Sequence, residues 1–81
     1  MTPDTEQLMH FLQEARVAAG ISYRVWGLRI GVTRQRMHQI IEHGMAGEGL
    51  SRKILMDLID GPDNPFPQDV RARAVALIDF I

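Results

Sequence analysis

The 81-residue sequence has no cysteine, only 6% aromatic residues and no long apolar run. The absence of cysteine excludes a disulfide scaffold, a thiolate zinc site and a cysteine nucleophile. No apolar stretch approaches the ~18 residues that a membrane-spanning helix requires. The first ten residues carry Asp4 and Glu6 where a signal peptide carries cations. We therefore expect a cytoplasmic protein with one small core and too little chain for an elaborate active site.

The formal net charge of −1 is the sum of three segments of opposite sign. Residues 1–15 hold three acids and no Lys or Arg, residues 16–53 hold seven cations and two acids, and residues 54–81 hold two cations and five acids. In chain order the segments therefore carry −3, +5 and −3. Eight of the nine cations are arginine, which favours bidentate contact with phosphate or guanine. A solvated cationic surface without a ligand is the alternative interpretation.

Apolar spacing and capping residues predict an all-α chain of five short helices. The first three helices each lie between a capping residue and a glycine, namely Asp4 and Gly20, Ser22 and Gly31, and Thr33 and Gly44. Residues 45–49 read as a flexible loop, and Ser51 is expected to cap a fourth helix that stops at Gly61. The apolar face of each of these four helices is predicted to form the core. The predicted core residues are Leu8, Phe11, Leu12, Ala15 and Ala19 in the first helix, Trp26 and Ile30 in the second, Met37, Ile40 and Ile41 in the third, and Ile54, Leu55, Leu58 and Ile59 in the fourth.

The C-terminal part reads as a linker followed by a fifth helix. Three prolines lie between residues 62 and 67, where they keep the chain extended and exclude helix. The last helix, over 68–81, carries an apolar stripe of Val70, Ala74, Leu77, Ile78 and Ile81. This stripe exceeds what one small core obviously needs, so we expect it to form a homodimer interface. The alternative is that the helix folds back on its own core.

The second and third helices form the arrangement known as helix-turn-helix, because both are short and only three or four residues, including a glycine, join them. Gly27 supplies a small residue where the helix axes approach, and Gly31 supplies a residue able to adopt positive φ at the turn. Apolar residues at the expected offsets close the angle between the helices: Trp26, Ile30, Val32, Met37 and Ile40. Any small helical domain with two glycines remains the competing interpretation.

These residues resemble the lambda-repressor-like (Cro/XRE-type) helix-turn-helix proteins. The resemblance covers about Leu8 to Ile59 and is densest in LQEARVAAGISYRVWGLRIGVTRQRMHQI, which includes Arg16 near the end of the first helix. It implies a lambda-repressor-like fold in which the third helix recognises DNA. Two positions depart from the family. Tyr23 stands where members commonly have a Gln that touches phosphate and braces the recognition helix, and Gly27 stands where they commonly have Ala.

The outward face of the third helix carries long polar side chains: Arg34, Gln35, Arg36, His38 and Gln39. Arginine can pair with guanine and glutamine with adenine, so this face is predicted to read bases in the major groove. Predicted phosphate contacts come from Ser22, Tyr23, Arg24, Thr33, Arg52 and Lys53. For Arg16 and Arg29 a phosphate contact and a structural pairing with a carboxylate, such as Glu14 or Glu42, are both open.

The resemblance implies a homodimeric repressor of the plasmid or phage type, bound to an inverted-repeat operator and so located on the nucleoid. Residues 1–61 would form the DNA-binding domain, with the helix-turn-helix at about 22–43, residues 62–67 the proline-rich linker and residues 68–81 the dimerisation helix. The alternatives are a controller protein of a restriction-modification system and an antitoxin-like protein-interaction module. The three histidines lack metal-ligand spacing, and the serines fit caps better than nucleophiles. We therefore expect no enzyme, no metal and no cofactor.

Overall fold

The computed structural model describes residues 5–44 and 47–79. Within this part of the chain there are five α-helices and no strand, which confirms the all-α prediction. The helices are α1 (Thr5–Ala19), α2 (Tyr23–Ile30), α3 (Arg34–His43), α4 (Glu48–Asp60) and α5 (Gln68–Ile78). None of the described helices has the length and apolarity needed to cross a membrane.

The predicted capping side chains begin α2 and α3. The amide of Val25 donates to Ser22 Oγ at 3.1 Å, and the amide of Arg36 donates to Thr33 Oγ1 at 3.0 Å. Each hydroxyl thus satisfies one backbone donor that a helix leaves free in its first turn. Asp4, the predicted cap of α1, lies outside the described residues.

The turn between α2 and α3 is as tight as the sequence predicts. Gly31 adopts φ +80°, a left-handed conformation that side chains disfavour, and the Val32 amide donates to the Gly27 carbonyl at 2.8 Å. A Cβ atom on Gly27 would lie 2.8 Å from the carbonyl oxygen of Val32 and 3.2 Å from that of Thr33. The turn therefore packs directly on the backbone of α2, and the absence of a side chain at residue 27 permits this contact.

α4 begins one turn earlier than predicted. Its N-cap is Gly47, and the amide of Ser51 donates to the Gly47 carbonyl at 2.9 Å. Ser51 is a buried residue inside the helix, so its predicted role as the cap, and the loop predicted to reach residue 49, are both wrong. Glycine at an N-cap position has no side chain to mark the helix start. Met45 and Ala46, in the same predicted loop, lie outside the described residues.

The core draws on every described helix and on one residue of the segment before α5. Trp26 is fully buried, and its ring centroid lies 5.1 Å from that of Phe66. The buried apolar residues are Phe11, Leu12, Ala15, Trp26, Ile30, Met37, Ile40, Ile41, Ile54, Leu55, Leu58, Phe66, Val70 and Ala74. The predicted inner faces of α1 to α4 are therefore confirmed, with Leu8, Ala19 and Ile59 partly buried at the margin.

Phe66, within the segment 62–67 predicted as a linker, is part of this core, so the segment is not a spacer free of the domain. Phe66 is only 4% exposed. Asn64 Nδ2 donates to the carbonyl of Leu58 at 2.8 Å, and Asn64 Oδ1 accepts from the amide of Phe66 at 2.9 Å. The Asn64 amide thus satisfies a carbonyl that the end of α4 leaves free, and it fixes the direction in which Phe66 enters the core.

α5 folds back on its own core. Val70 and Ala74 are buried there, while Leu77 and Ile78 are partly buried against it. Val70 and Ala74 therefore cannot contact a partner molecule, which corrects their assignment to a dimer interface and agrees with the alternative stated above. Ile81 lies outside the described residues.

Candidate nucleic-acid interface

α3 has one face in the core and the opposite face in solvent. Met37, Ile40 and Ile41 are buried, which fixes the rotation of the helix about its axis. Of the seven remaining positions, the five predicted base-reading residues are called the outer face of α3, namely Arg34, Gln35, Arg36, His38 and Gln39, and the exposed Glu42 and His43 follow in the last turn. Three of them, Arg34, Gln35 and His38, are exposed, and the other two are half-buried. The structure thus places all five predicted base-reading residues on one accessible surface.

Four side chains of this face have no hydrogen-bond or ion-pair partner in the described part of the chain: Arg34, Gln35, Arg36 and Gln39. The two guanidinium groups supply donors only, and each carboxamide supplies both donors and an acceptor. Such groups can form hydrogen bonds with a ligand without first breaking bonds within the protein. His38 differs from the other four, since its ring is packed against neighbouring rings.

Ser22, Arg24 and Thr33, three of the predicted phosphate ligands, lie at the beginnings of α2 and α3, whereas the earlier start of α4 places Arg52 and Lys53 in its second turn. Ser22 and Thr33 accept backbone hydrogen bonds, and each hydroxyl keeps its own proton for donation to an anion. Arg24, Arg52 and Lys53 are exposed, with no ion-pair partner in residues 5–44 and 47–79. The helix N-termini add partial positive charge at Ser22 and Thr33.

Lys53 brings α4 close to the turn between α2 and α3. Its Nζ lies 3.9 Å from the position that a Cβ atom on Gly31 would occupy. α4 therefore places an ammonium group at the turn that joins α2 and α3.

Arg29 has a structural role. Its Nε lies 3.0 Å from Asp57 Oδ2 and its Nη2 lies 3.2 Å from Asp57 Oδ1, and the two side chains are only 17% and 10% exposed. A Cβ on Gly61 would lie 2.3 Å from Asp57 Oδ1, so the glycine leaves space for this bidentate pair. The pair joins α2 to α4 and withdraws Arg29 from the candidate interface. A phosphate contact and a carboxylate pair were both open for Arg29, and the structure shows the carboxylate pair. Its partner is Asp57, which is neither of the two carboxylates named from the sequence.

Arg16 is also structural, although its partners are not carboxylates. Its Nη1 donates to the carbonyl of Ile21 at 3.0 Å and its Nε donates to Gln13 Oε1 at 2.9 Å. Glu14, one of the two carboxylates named from the sequence as a partner for Arg16, instead forms a bidentate pair with Arg73 at 2.8 and 3.0 Å. The guanidinium of Arg16 thus holds the connection between α1 and α2 together.

Tyr23 is directed toward α3. Its hydroxyl donates to the Glu42 carboxylate, and Gln13 Nε2 donates to the Tyr23 hydroxyl at 3.3 Å. Partial burial and the hydrogen bond to Glu42 raise the pKa of Tyr23, while the same hydrogen bond lowers the pKa of Glu42. At neutral pH the phenol is therefore protonated and its proton is committed to Glu42. The phosphate contact predicted for Tyr23 stays a prediction, and the structure shows its hydroxyl engaged within the protein.

No local pattern in the sequence indicates this contact, because Gln13, Tyr23 and Glu42 are far apart along the chain. The one usable signal is that residue 23 is a tyrosine, whose hydroxyl requires a hydrogen-bond partner when it is half-buried.

The seven cations of residues 16–53 fall into two groups, those with a partner in the fold and those without one. Arg16 and Arg29 are used within the fold. The five cations without a partner in the described residues are Arg24, Arg34, Arg36, Arg52 and Lys53. Five of the seven cations of residues 16–53 are thus available to a ligand, although the whole chain carries a net charge of −1.

Comparison with protein-family models, with curated proteins and with solved structures finds no match to this chain. The described residues contain no group of three or more His, Asp or Glu side chains placed to hold a metal ion. The chemistry of the site consists of arginine, glutamine, histidine and hydroxyl groups on three helices. These groups recognise anions and the hydrogen-bonding edges of planar heterocycles.

Proposed function

We propose that this protein is a sequence-specific transcriptional regulator that binds double-stranded DNA with α3 in the major groove. The supporting observation is the outer face of α3, on which Arg34, Gln35 and Gln39 have unsatisfied hydrogen-bonding groups on a helix held rigidly by its buried side. Arginine donates two hydrogen bonds to guanine O6 and N7, and a glutamine carboxamide pairs with adenine N6 and N7. An α-helix fits the width of this groove.

The basic surroundings of α3 supply the phosphate contacts of the proposal. Arg24 lies at the start of α2, Arg36 in the first turn of α3, and Arg52 and Lys53 in α4, so three helices contribute cations without a partner in the described residues. If each of the five unpartnered cations neutralises one phosphate, the slope of log K against log salt reaches at most about −4.5 per chain. A steeper slope per chain would require contacts outside this surface.

We further propose a homodimer that acts as a repressor at an inverted-repeat operator. One recognition helix spans only a few base pairs, and regulators of this type reach specificity by placing two such helices about one helical turn apart. Repression follows from the family resemblance, since a bound dimer obstructs a promoter. Because α5 uses Val70 and Ala74 in its own core, the proposed dimer contact excludes these two residues. Sedimentation equilibrium over a range of concentrations measures the oligomeric state directly.

Selection of bound sites from random duplex DNA, at two salt concentrations, tests the proposal. We expect recovery of an inverted repeat and a loss of affinity at the higher salt concentration. Recovery of no sequence preference at either salt concentration would contradict sequence-specific binding.

Arg34→Ala tests the assignment of α3 as the reading helix. We expect a loss of about 1–3 kcal/mol on the selected site and a relaxed preference at one base pair. Arg73→Ala is the matched control, because it removes the same charge from an exposed side chain of α5 that pairs with Glu14. An equal loss on selected and random DNA for Arg34→Ala would assign this residue to the phosphate backbone instead.

A further inference from the structure

We propose that Tyr23 is a positioning residue for His38, and that its hydrogen bond to Glu42 sets the base preference that His38 reads. This inference rests on the proposed DNA-binding function and specifies one part of its mechanism. It also assigns Tyr23 a role different from the phosphate contact expected from its position in the sequence.

The Tyr23 ring is held on several sides. The guanidinium carbon of Arg16 lies 4.5 Å from the ring centroid, at a distance typical of a cation–π contact. The edge-to-face contact with His38 has a centroid separation of 5.1 Å and an interplanar angle of 74°. The hydroxyl donates to Glu42, and Gln13 Nε2 lies within 3.3 Å of both the Tyr23 hydroxyl and Glu42 Oε1. The ring thus has fixed neighbours on α1 and on α3.

The two contacts of Tyr23 with α3 fall on successive turns of that helix. His38 and Glu42 are four residues apart, so their side chains lie on one face, one turn from each other. The hydroxyl of Tyr23 holds Glu42, while the ring packs against His38. A hydrogen bond at one turn therefore fixes the aromatic surface that His38 contacts at the other turn. His43 closes a further side, with its ring centroid 6.1 Å from that of His38.

His38 is thereby distinguished from the rest of the outer face of α3. Arg34, Gln35 and Gln39 have no side-chain partners in the described residues, so they lose rotamer freedom when they bind. The imidazole of His38 is already oriented by its packing, and it presents a donor or an acceptor at a defined angle. A preoriented group discriminates between base edges by geometry, and it loses less conformational entropy on binding.

Two variants remove the Tyr23–Glu42 hydrogen bond from opposite ends, namely Tyr23→Phe and Glu42→Ala. We expect His38→Ala to abolish the preference at one base pair of the selected site. Tyr23→Phe and Glu42→Ala should each reduce the preference at that same base pair by roughly 3–10-fold, the effect of one hydrogen bond. The double variant should lose no more than either single variant, since both changes remove one interaction. Affinity for random DNA should change less than about twofold in Tyr23→Phe, which conserves charge, whereas Glu42→Ala removes an acid from α3 and should bind random DNA more tightly.

Arg24→Ala is the matched control, because it alters the residue next to Tyr23 at the exposed start of α2. As a phosphate contact it should lower affinity for selected and random DNA alike. Two results would overturn the positioning role while the DNA-binding function stands. In the first, Tyr23→Phe lowers affinity for selected and random DNA alike. In the second, the wild type is selective and Tyr23→Phe leaves its base preference unchanged. A wild-type protein that shows no sequence preference overturns both.

A measurement without DNA provides an independent test. Three-bond NMR couplings report the χ1 rotamer of His38 in the free protein. We expect one dominant rotamer in the wild type and rotamer averaging in Tyr23→Ala, with circular dichroism used to check that each variant is folded. Equal averaging in the wild type and the variant would overturn the positioning role. Glu42→Ala, which alters an exposed side chain, gives the same test if Tyr23→Ala does not fold.

Discussion

Replacing Gly27 with alanine places a methyl group against the turn that joins α2 to α3. The added Cβ would lie 2.8 Å from the carbonyl oxygen of Val32 and 3.2 Å from that of Thr33. Both neighbours are backbone atoms, so no side-chain rotation relieves the contact. The turn has to move by about 0.6 Å before the shorter distance reaches the 3.4 Å of ordinary contact.

Two opposing effects determine the result of Gly27→Ala. Alanine is more favourable than glycine inside a helix by about 1 kcal/mol. Overpacking a site that must shift its backbone costs about 1–3 kcal/mol. Because the obstructing atoms belong to a hydrogen-bonded turn, we expect a cost near the upper end of this range and a net loss of about 1–2 kcal/mol. Each kcal/mol lowers the Tm of a domain of this size by about 4–8 °C.

Urea unfolding of wild-type protein and Gly27→Ala, with an unchanged m value, measures this difference. Gly49→Ala is the matched control, since residue 49 lies in α4 and a Cβ there meets no atom within 4 Å. We expect the control to be neutral or slightly stabilising. If Gly27→Ala is as stable as the wild type, the close approach of the turn does not constrain residue 27, and the reasoning above is refuted.

Two further predictions concern charged groups. Asp57→Ala leaves the Arg29 guanidinium, only 17% exposed, without its partner, so we expect a loss of about 2–4 kcal/mol in urea unfolding. Arg73→Ala breaks a half-exposed ion pair, so it should lower the free energy of unfolding by less than about 1 kcal/mol. Equal losses in Asp57→Ala and Arg73→Ala would contradict the difference in burial between the two pairs. The hydrogen bond from Tyr23 lowers the pKa of Glu42, so Tyr23→Phe should raise that pKa toward its ordinary value in a carboxyl-carbon NMR titration. Since the lowered pKa belongs to the folded state, this bond stabilises the fold at neutral pH, and its contribution disappears as the pH falls through the folded-state pKa. The same Glu42 pKa in both proteins would contradict the Tyr23 contact.

The parts of the fold that the sequence predicts correctly are set by local chemistry. Ser22 and Thr33 are strong capping residues directly before apolar periodic segments, and Gly31 marks the turn between them. The caps, the turn and the buried faces follow from residues within a few positions of one another. The rotation of α3, and with it the outer face, therefore follows from the sequence as well.

The sequence-based predictions fail where a partner that is distant along the chain determines the structure. Phe66 lies between two prolines and looks like linker sequence, yet contact with Trp26 buries it. Arg29 finds Asp57 across 28 positions of chain, and Tyr23 finds Glu42 across 19. Local patterns indicate that such a residue is able to pair, but only the packed helices determine with which partner.

Phe66 joins α2 and α5 in one core, because it packs on Trp26 and lies just before α5. A fragment ending at residue 60 would contain the whole of α1 to α4 and lose the ring that covers Trp26. Truncating a buried phenylalanine typically costs about 3–5 kcal/mol, against a total stability of about 4–12 kcal/mol for a chain of this length. Removal of residues 61–79 is therefore expected to destabilise α1 to α4, and with them the outer face of α3, although every residue of that face remains in the fragment. The proposed DNA contacts thus depend for their stability on a part of the chain that carries none of them.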